Sequence, residues 1–306
     1  MTRDKYRVFT RINQLFLVSM SLYYLTKLVT AKLFYDVFDL PSNAIFSMAV
    51  ALVVSYLPYF IENNFKDTSH PRQSRLTLTK KDYFIFIIFI LLINVFSYFF
   101  ISGIEHAFNN IRLSIVKQPI EVYKLSQSIL VMAYSILLVP IIEELIYRAF
   151  ILRKLEVYGS GFAIIISSLL FGLSHGNIPQ FITAFFLGLV LGYVYVLTHS
   201  KKTVIILHIF NNSYTSLYNL FIYQNIGQVE YIQIFVIIEL VITILLAIYA
   251  LYQMRKQSHL RLNHASTSNI LLFKYYFFRL TTILIFVFSF VTMFRSISIL
   301  GGSYGY

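Results

Sequence analysis

Glu143 and Glu144 stand side by side in SILVMAYSILLVPIIEELIYRAFIL, a stretch otherwise apolar enough to cross a bilayer. An ionised carboxylate at membrane depth costs roughly 2.5–3.5 kcal/mol on insertion scales, so the chain must either partner these two or use them. Candidate partners recur at four-residue spacing: Glu144 with Arg148, Phe171 with His175, and His208 with Asn212. Residues four apart share one helical face, which lets Arg148 neutralise Glu144 through paired N–H bonds. Glu143 is turned about 100° from its neighbour on a helix and is therefore the member left for chemistry. Pro140 lies three residues earlier; its missing N–H and its ring are expected to kink the helix and open nearby carbonyls.

A Glu, two His and an Asn from three helices can converge in a bundle interior, and two chemistries suit them. In one, a divalent ion, zinc first, is held by Glu143, His175 and His208 with water in an open position. In the other, Glu143 is general base on a water oriented by His175, while His208 and Asn212 donate to the developing oxyanion. Both end in amide hydrolysis, and the residues leave the choice between them open.

The elements that must position these groups are membrane helices. Of 306 residues, 58% are hydrophobic and 12% charged, with mean hydropathy +0.72; soluble domains carry about 25% charged residues. Runs such as FIFIIFILLINVF do not alternate as barrel strands do. The expected fold class is an all-α integral membrane protein, a polytopic helical bundle of 8–9 transmembrane helices. Candidate spans fall near 13–34, 43–61, 83–104, 126–151, 161–175, 179–198, 203–222, 230–253 and 273–295, the last interrupted by Arg279. The organisation expected is N-terminal helices over 1–124, a catalytic core over 125–222 and C-terminal helices over 223–306.

Basic residues mark one side of these spans. Arg3, Lys5, Arg7 and Arg11 precede the first, and Lys66, Arg72, Arg75, Lys80 and Lys81 follow the second. Arg153 and Lys154, Lys201 and Lys202, then Arg255, Lys256 and Arg261 follow the fourth, sixth and eighth. The alternate loops carry Asp36, Asp39 and Glu230 instead. This asymmetry places the N-terminus in the cytoplasm and assigns the net charge of +12 to membrane lipids as partners rather than nucleic acid. The start, MTRDKYRVFTRINQ, reads as a lead-in to the first span, not a cleaved signal. One strain remains in this scheme. A straight helix over 161–175 carries His175 roughly 20 Å from the cytoplasmic boundary, while Glu143 and His208 sit in the cytoplasmic third of their spans.

Segment 105–125 reads as amphipathic, either an interfacial helix or a connecting loop. Ala184, Gly188 and Gly192 form a small-residue ridge expected to pack inside the bundle. Asn177 and Asn211 read as structural, and His70, His106, His199, His259 and His264 as solvated loop residues. The chain has no cysteine, which excludes disulfides, thiolate catalysis and Cys-ligated zinc. HExxH is absent, Gly159-Ser160-Gly161 lacks the glycine of a rhomboid serine motif, and Tyr35-Asp36 has no GxGD to pair with.

The ordered motifs Glu143-Glu144-Leu-Ile-Tyr-Arg148, Phe171-Gly-Leu-Ser-His175 and His208-Ile-Phe-Asn-Asn212 resemble those of the CPBP family of intramembrane proteases, the CAAX prenyl endopeptidases and bacteriocin-processing or immunity (Abi) enzymes. The resemblance covers about 125–222. It implies that Glu143 activates water, that His175, His208 and Asn212 complete the centre, and that Glu144 and Arg148 support it, with or without Zn2+. The function expected is an endopeptidase acting on a membrane-associated peptide or protein tail. The alternative is a catalytically silent scaffold or bacteriocin-immunity factor that acts by binding. The Ile, Phe, Tyr, Lys and Asn-rich composition points to a bacterial cytoplasmic membrane.

Overall fold

The computed structural model describes residues 3–35, 37, 40–65, 76–115, 130–224, 229–260, 270–295 and 297–299. Asp36, Asp39, Lys66, Arg72, Arg75, Arg261, His70, His264 and residues 116–125 lie outside them. The described chain is a helical bundle: α1 (Arg3–Leu33), α2 (Leu40–Phe65), α3 (Lys80–Asn110), α4 (Leu130–Glu156), α5 (Ser160–Leu173), α6 (Ile178–Thr198), α7 (Lys201–Gln224), α8 (Val229–Lys256), α9 (Ile270–Phe277) and α10 (Leu280–Phe294). Five described helices, α2, α3, α4, α6 and α8, carry apolar windows long enough to cross a membrane, six if the bent pair α9–α10 counts as one span. The 8–9 spans read from sequence also counted α1, α5 and α7. α5 is too short, and α7 carries the polar run His208, Asn211, Asn212 and Ser213, so segments of the bundle interior are less apolar than its lipid-facing walls.

Segment 105–125 departs from expectation where it is described. α3 continues to Asn110, and Leu113–Ile115 (β1) pairs antiparallel with Ile297–Ile299 (β2). The amphipathic pattern therefore belongs to a helix end followed by a strand. A two-stranded ladder satisfies backbone groups and ties the α3 exit to the chain beyond α10.

Polar side chains at helix ends and breaks fix the bundle. α3 starts with a capping box, Thr79 accepting from the Asp82 amide while Asp82 accepts from the Thr79 amide, which satisfies two otherwise orphaned N–H groups. The fully buried Asp82 also meets Nε2 of His259 at 3.2 Å, and Glu156 meets Nε2 of His199 at 3.1 Å. His199 and His259 are thus carboxylate partners rather than free solvated loop residues; their loops fold back onto helix ends far away in sequence. Arg279 sits at the 69° break between α9 and α10, donating to the Tyr275 carbonyl at 2.9 Å and to Thr10 Oγ1 at 2.8 Å. Beside it, Asn13 donates to Thr282 and accepts from Tyr276, locking α1 onto the C-terminal pair. On the other flank, Glu239 of α8 accepts a hydrogen bond from Tyr214 of α7.

Helices α5 and α6 pack closely against each other. A Cβ on Gly188 would fall 2.9–3.0 Å from Ser168, and one on Gly192 would lie 3.3 Å from Ile164 and Leu152. The small-residue ridge is therefore internal, as its spacing suggested, and it lets two backbones approach closely. α5 has 14 residues, about 21 Å of helix, short of the ~30 Å hydrocarbon core. His175 does not ride on the end of that helix. It occupies the turn after it, where Gly176 adopts φ +65°, a left-handed conformation that favours glycine.

Candidate active site

α4 is not a uniform helix. Residues Ala133–Leu138 and Tyr147–Leu152 are π-turns that bracket the α-helical Val139–Ile146. Pro140 explains the first. Its ring would collide with the carbonyl four residues back in a regular helix; instead the Val139 amide reaches Tyr134, five residues back, and the widened turn accommodates the ring. π-turns of this kind are frequent at functional sites. The kink expected at Pro140 thus takes the form of a wider turn, and it sets the direction in which the segment holding Glu143 and Glu144 faces.

Three elements meet at that segment. Glu143 Oε1 lies 3.9 Å from His175 Nε2, and Glu143 Oε2 lies 3.6 Å from His208 Nε2. Glu144 Oε1 accepts from His208 Nδ1 at 2.8 Å and lies 2.9 Å from Arg148 Nη1. Glu144 and Arg148 are both fully buried, and Arg148 Nη2 also reaches the Gly188 carbonyl at 3.5 Å. Glu144 Oε2 and Arg148 Nε have no hydrogen-bond partner among the described residues.

Each imidazole is oriented from behind. His175 Nδ1 lies 2.9 Å from the Phe171 carbonyl; a carbonyl only accepts, so Nδ1 carries the proton and Nε2 turns a lone pair toward Glu143. His208 Nδ1 lies 2.8 Å from the Glu144 oxygen that pairs with Arg148, so Nδ1 donates there and Nε2 again faces Glu143. Phe171 is the packing hub. The Arg148 guanidinium lies 4.6 Å over its ring, and the rings of His175 and His208 meet it edge-on at 5.1 and 5.7 Å. A desolvated guanidinium over an aromatic face is held by about 2 kcal/mol or more, so Phe171 fixes the cation as well as both rings.

Asn212 is engaged elsewhere. Its Nδ2 donates to the Ser135 carbonyl at 2.7 Å, and its Oδ1 accepts from Asn211 at 3.0 Å. Asn211 in turn accepts from Asn94 of α3 at 2.9 Å. This chain of amides ties α3, α7 and the first π-turn of α4 together, so Asn211, read as structural, and Asn212, read as part of the centre, act in one network. The structure thus gathers Glu143, Glu144, Arg148, His175 and His208, and turns the bonded side of Asn212 toward helix α4's backbone.

Sequence reasoning missed two tyrosines. Tyr23 on α1 and Tyr134 on α4 lie near one another, and both lie within electrostatic reach of Glu143. Next to Tyr23, the Tyr24 hydroxyl would lie 2.6 Å from a Cβ on Gly176, with Thr292 of α10 behind it. α1 and α10 therefore wall the site on the side of the His175 turn. With 24 tyrosines in the chain, no spacing singled these out.

Glu143, His175 and His208 supply the ligand types of a zinc site, and a ring bonded on its far nitrogen is the usual state of such ligands. Their arrangement fits a metal less well. Two donors about 2.0–2.1 Å from a tetrahedral ion stand roughly 3.3 Å apart, whereas Glu143 meets the rings at 3.9 and 3.6 Å. Among the described residues no group of three or more His, Cys, Asp or Glu is placed to hold a metal ion.

Comparison with known proteins yields one finding. Residues 125–214 match the family model described as type II CAAX prenyl endopeptidase Rce1-like. No curated protein and no solved structure matches the chain. The stretch holding Glu143, Glu144, Arg148, His175, His208 and Asn212 is therefore an Rce1-like domain of the CAAX protease family, set in an all-α, multi-pass membrane protein.

Proposed function

We propose that this chain is an intramembrane endopeptidase that hydrolyses one peptide bond of a membrane-associated peptide or protein tail. The observation that carries the reading is the position of Glu143, whose two carboxylate oxygens face Nε2 of His175 and Nε2 of His208 from 3.9 and 3.6 Å. A water there donates one hydrogen to Glu143 and the other to a ring nitrogen, which leaves an oxygen lone pair for attack. Water oxygen bonds the scissile carbonyl carbon as Glu143 takes the proton. The tetrahedral intermediate collapses when the carbon–nitrogen bond breaks, and Glu143 returns that proton to the leaving amine. Glu144 and Arg148 act through His208, holding its ring by the Nδ1 bond, and Phe171 holds all three in place. Asn212 acts one step further out, fixing the backbone of the first π-turn. A metal bound there would polarise the carbonyl and the water; the donor spacing does not favour one, and no step above passes through it.

The test is cleavage of a peptide library by the detergent-purified protein, with products read by mass spectrometry. Wild type should cut a subset of peptides at one bond, and Glu143→Gln should cut none of them while melting at the wild-type temperature. Equal cleavage by both proteins, or none by wild type, removes the reading. In the latter case a binding-only role, as scaffold or immunity factor, takes its place.

A further inference from the structure

A peptide bond open to attack at Glu143 must lie on chain drawn out of any helix, and the flanks of such chain carry unpaired N–H and C=O groups. In or beside a bilayer each orphaned group is costly. Helices spend their own backbone groups internally, so the walls of the bundle offer those flanks little. A strand edge offers more. Among the described residues β1 and β2 form a sheet of two strands. Leu113 stands opposite Ile299, Ser114 opposite Ser298 and Ile115 opposite Ile297, which leaves each strand one edge that no described strand pairs.

The ladder stands at the end of the bundle that holds the His175 turn. α3 and α6 run antiparallel, with the rings of Phe86 and Tyr193 centred 6.3 Å apart and those of Phe96 and Phe186 5.3 Å apart. α3 therefore reaches Asn110 at the end where α6 begins with Ile178, three residues after His175. The stretch from Phe96 to Asn110 rises about 21 Å and that from Phe186 back to Ile178 about 12 Å, which puts the start of β1 roughly 10 Å beyond the turn. β2 arrives from the other flank. Thr292 of α10 lies 3.4 Å from a Cβ on Gly176, and Ile297 follows five residues later, at most about 18 Å of extended chain. Both helices that deliver the strands thus pass beside the turn presenting His175.

We infer that a free edge of the β1–β2 ladder docks one flank of the substrate peptide as a third strand and feeds the adjoining bond to Glu143. Main-chain pairing of this kind supplies affinity while leaving alternate side chains to set specificity. It deepens the peptidase reading and rests on it. With the ladder roughly 10 Å beyond the turn and about 3.3 Å per extended residue, the paired stretch begins at least three residues from the bond that is cut. The α3 exit and the chain beyond α10, both outside the matched stretch 125–214, thereby take a part in holding the substrate.

The chain has no cysteine, so a single one placed in the ladder reports on the substrate without background. Ser114→Cys and Ile297→Cys are each made in the Glu143→Gln protein, which retains bound peptide, and oxidised with a library-identified peptide carrying one Cys at successive positions. Strand pairing predicts disulfides at alternate peptide positions, about three or more residues to one side of the cut bond, from at least one of the two strands. In the wild-type protein, amide-to-ester replacements walked along that stretch should raise KM roughly 2- to 10-fold at alternate positions, the worth of one hydrogen bond, with kcat within about twofold. Three outcomes overturn the inference: no disulfide from either strand, disulfides at consecutive positions without alternation, or esters that leave KM unchanged throughout. In each of them, continued cleavage by the wild-type protein leaves the peptidase reading intact. A wild-type protein that cleaves no peptide overturns that reading and this inference together.

Discussion

Glu144 grips the ring of His208 across 64 residues of sequence, Oε1 to Nδ1 at 2.8 Å. The same oxygen lies 2.9 Å from Arg148, so one buried carboxylate oxygen serves a cation and an imidazole. That arrangement divides the acidic pair by role: Glu144 orients, and Glu143, with both oxygens turned to the rings, is free to exchange protons.

Glu144→Gln removes the charge that holds the His208 tautomer. Cleavage of a wild-type substrate should fall roughly 10²- to 10⁴-fold in kcat, the upper figure being the loss seen when an orienting carboxylate becomes an amide. KM should stay within a few-fold. Wild-type kcat in this variant contradicts the orienting role.

Arg148→Met strips the countercharge from a carboxylate that is fully buried. Breaking a buried pair from one side costs about 3–5 kcal/mol, whereas replacing both partners with uncharged groups is far milder. Unfolding of Arg148→Met, Glu144→Gln and the double variant in a denaturing-detergent titration should therefore give a double variant more stable than the sum of the singles. Additive losses contradict a direct pair.

Much of this was legible before any coordinates. Glu143, Glu144, Arg148, His175 and His208 announce themselves because a charged or imidazole group in an apolar segment has few inexpensive explanations, and four-residue spacing says which of them share a face. Helical class followed from the same apolar runs. What stayed hidden depends on long-range placement. The Glu144–His208 bond, the Asn94–Asn211–Asn212 chain and the role of Phe171 as a hub each join helices distant in sequence. The first π-turn arises where Pro140 meets a helix that the bundle keeps continuous, and local pattern cannot distinguish that outcome from an ordinary kink. His199 and His259 looked solvated because their partners, Glu156 and Asp82, sit at the ends of other helices.

Gly176→Ala tests the turn that presents His175. Its φ of +65° costs an alanine roughly 1–2 kcal/mol, and the added methyl would fall 2.6 Å from the Tyr24 hydroxyl. The expected result is a lower melting temperature and at least a tenfold loss of kcat, as the ring is displaced from Glu143. A variant matching wild type in both measurements contradicts the account of the α5–α6 turn.

Metal removal tests the donor spacing around Glu143. Cleavage should persist after dialysis against a strong chelator, with no stoichiometric zinc in the purified protein by elemental analysis. Activity that disappears on chelation and returns with added Zn2+ shows instead that the 3.6 and 3.9 Å separations close around an ion in the working enzyme.

Glu143 itself gives the sharpest test, because the whole account assigns it the proton. The measurement is the single-turnover cleavage rate of Glu143→Gln and Glu143→Asp beside wild type, on one library-identified peptide, with melting temperatures taken on the same samples. The account predicts that Gln abolishes detectable turnover, Asp keeps a small fraction of it, and all three proteins melt alike. Turnover by the folded Gln variant at a rate near wild type contradicts it.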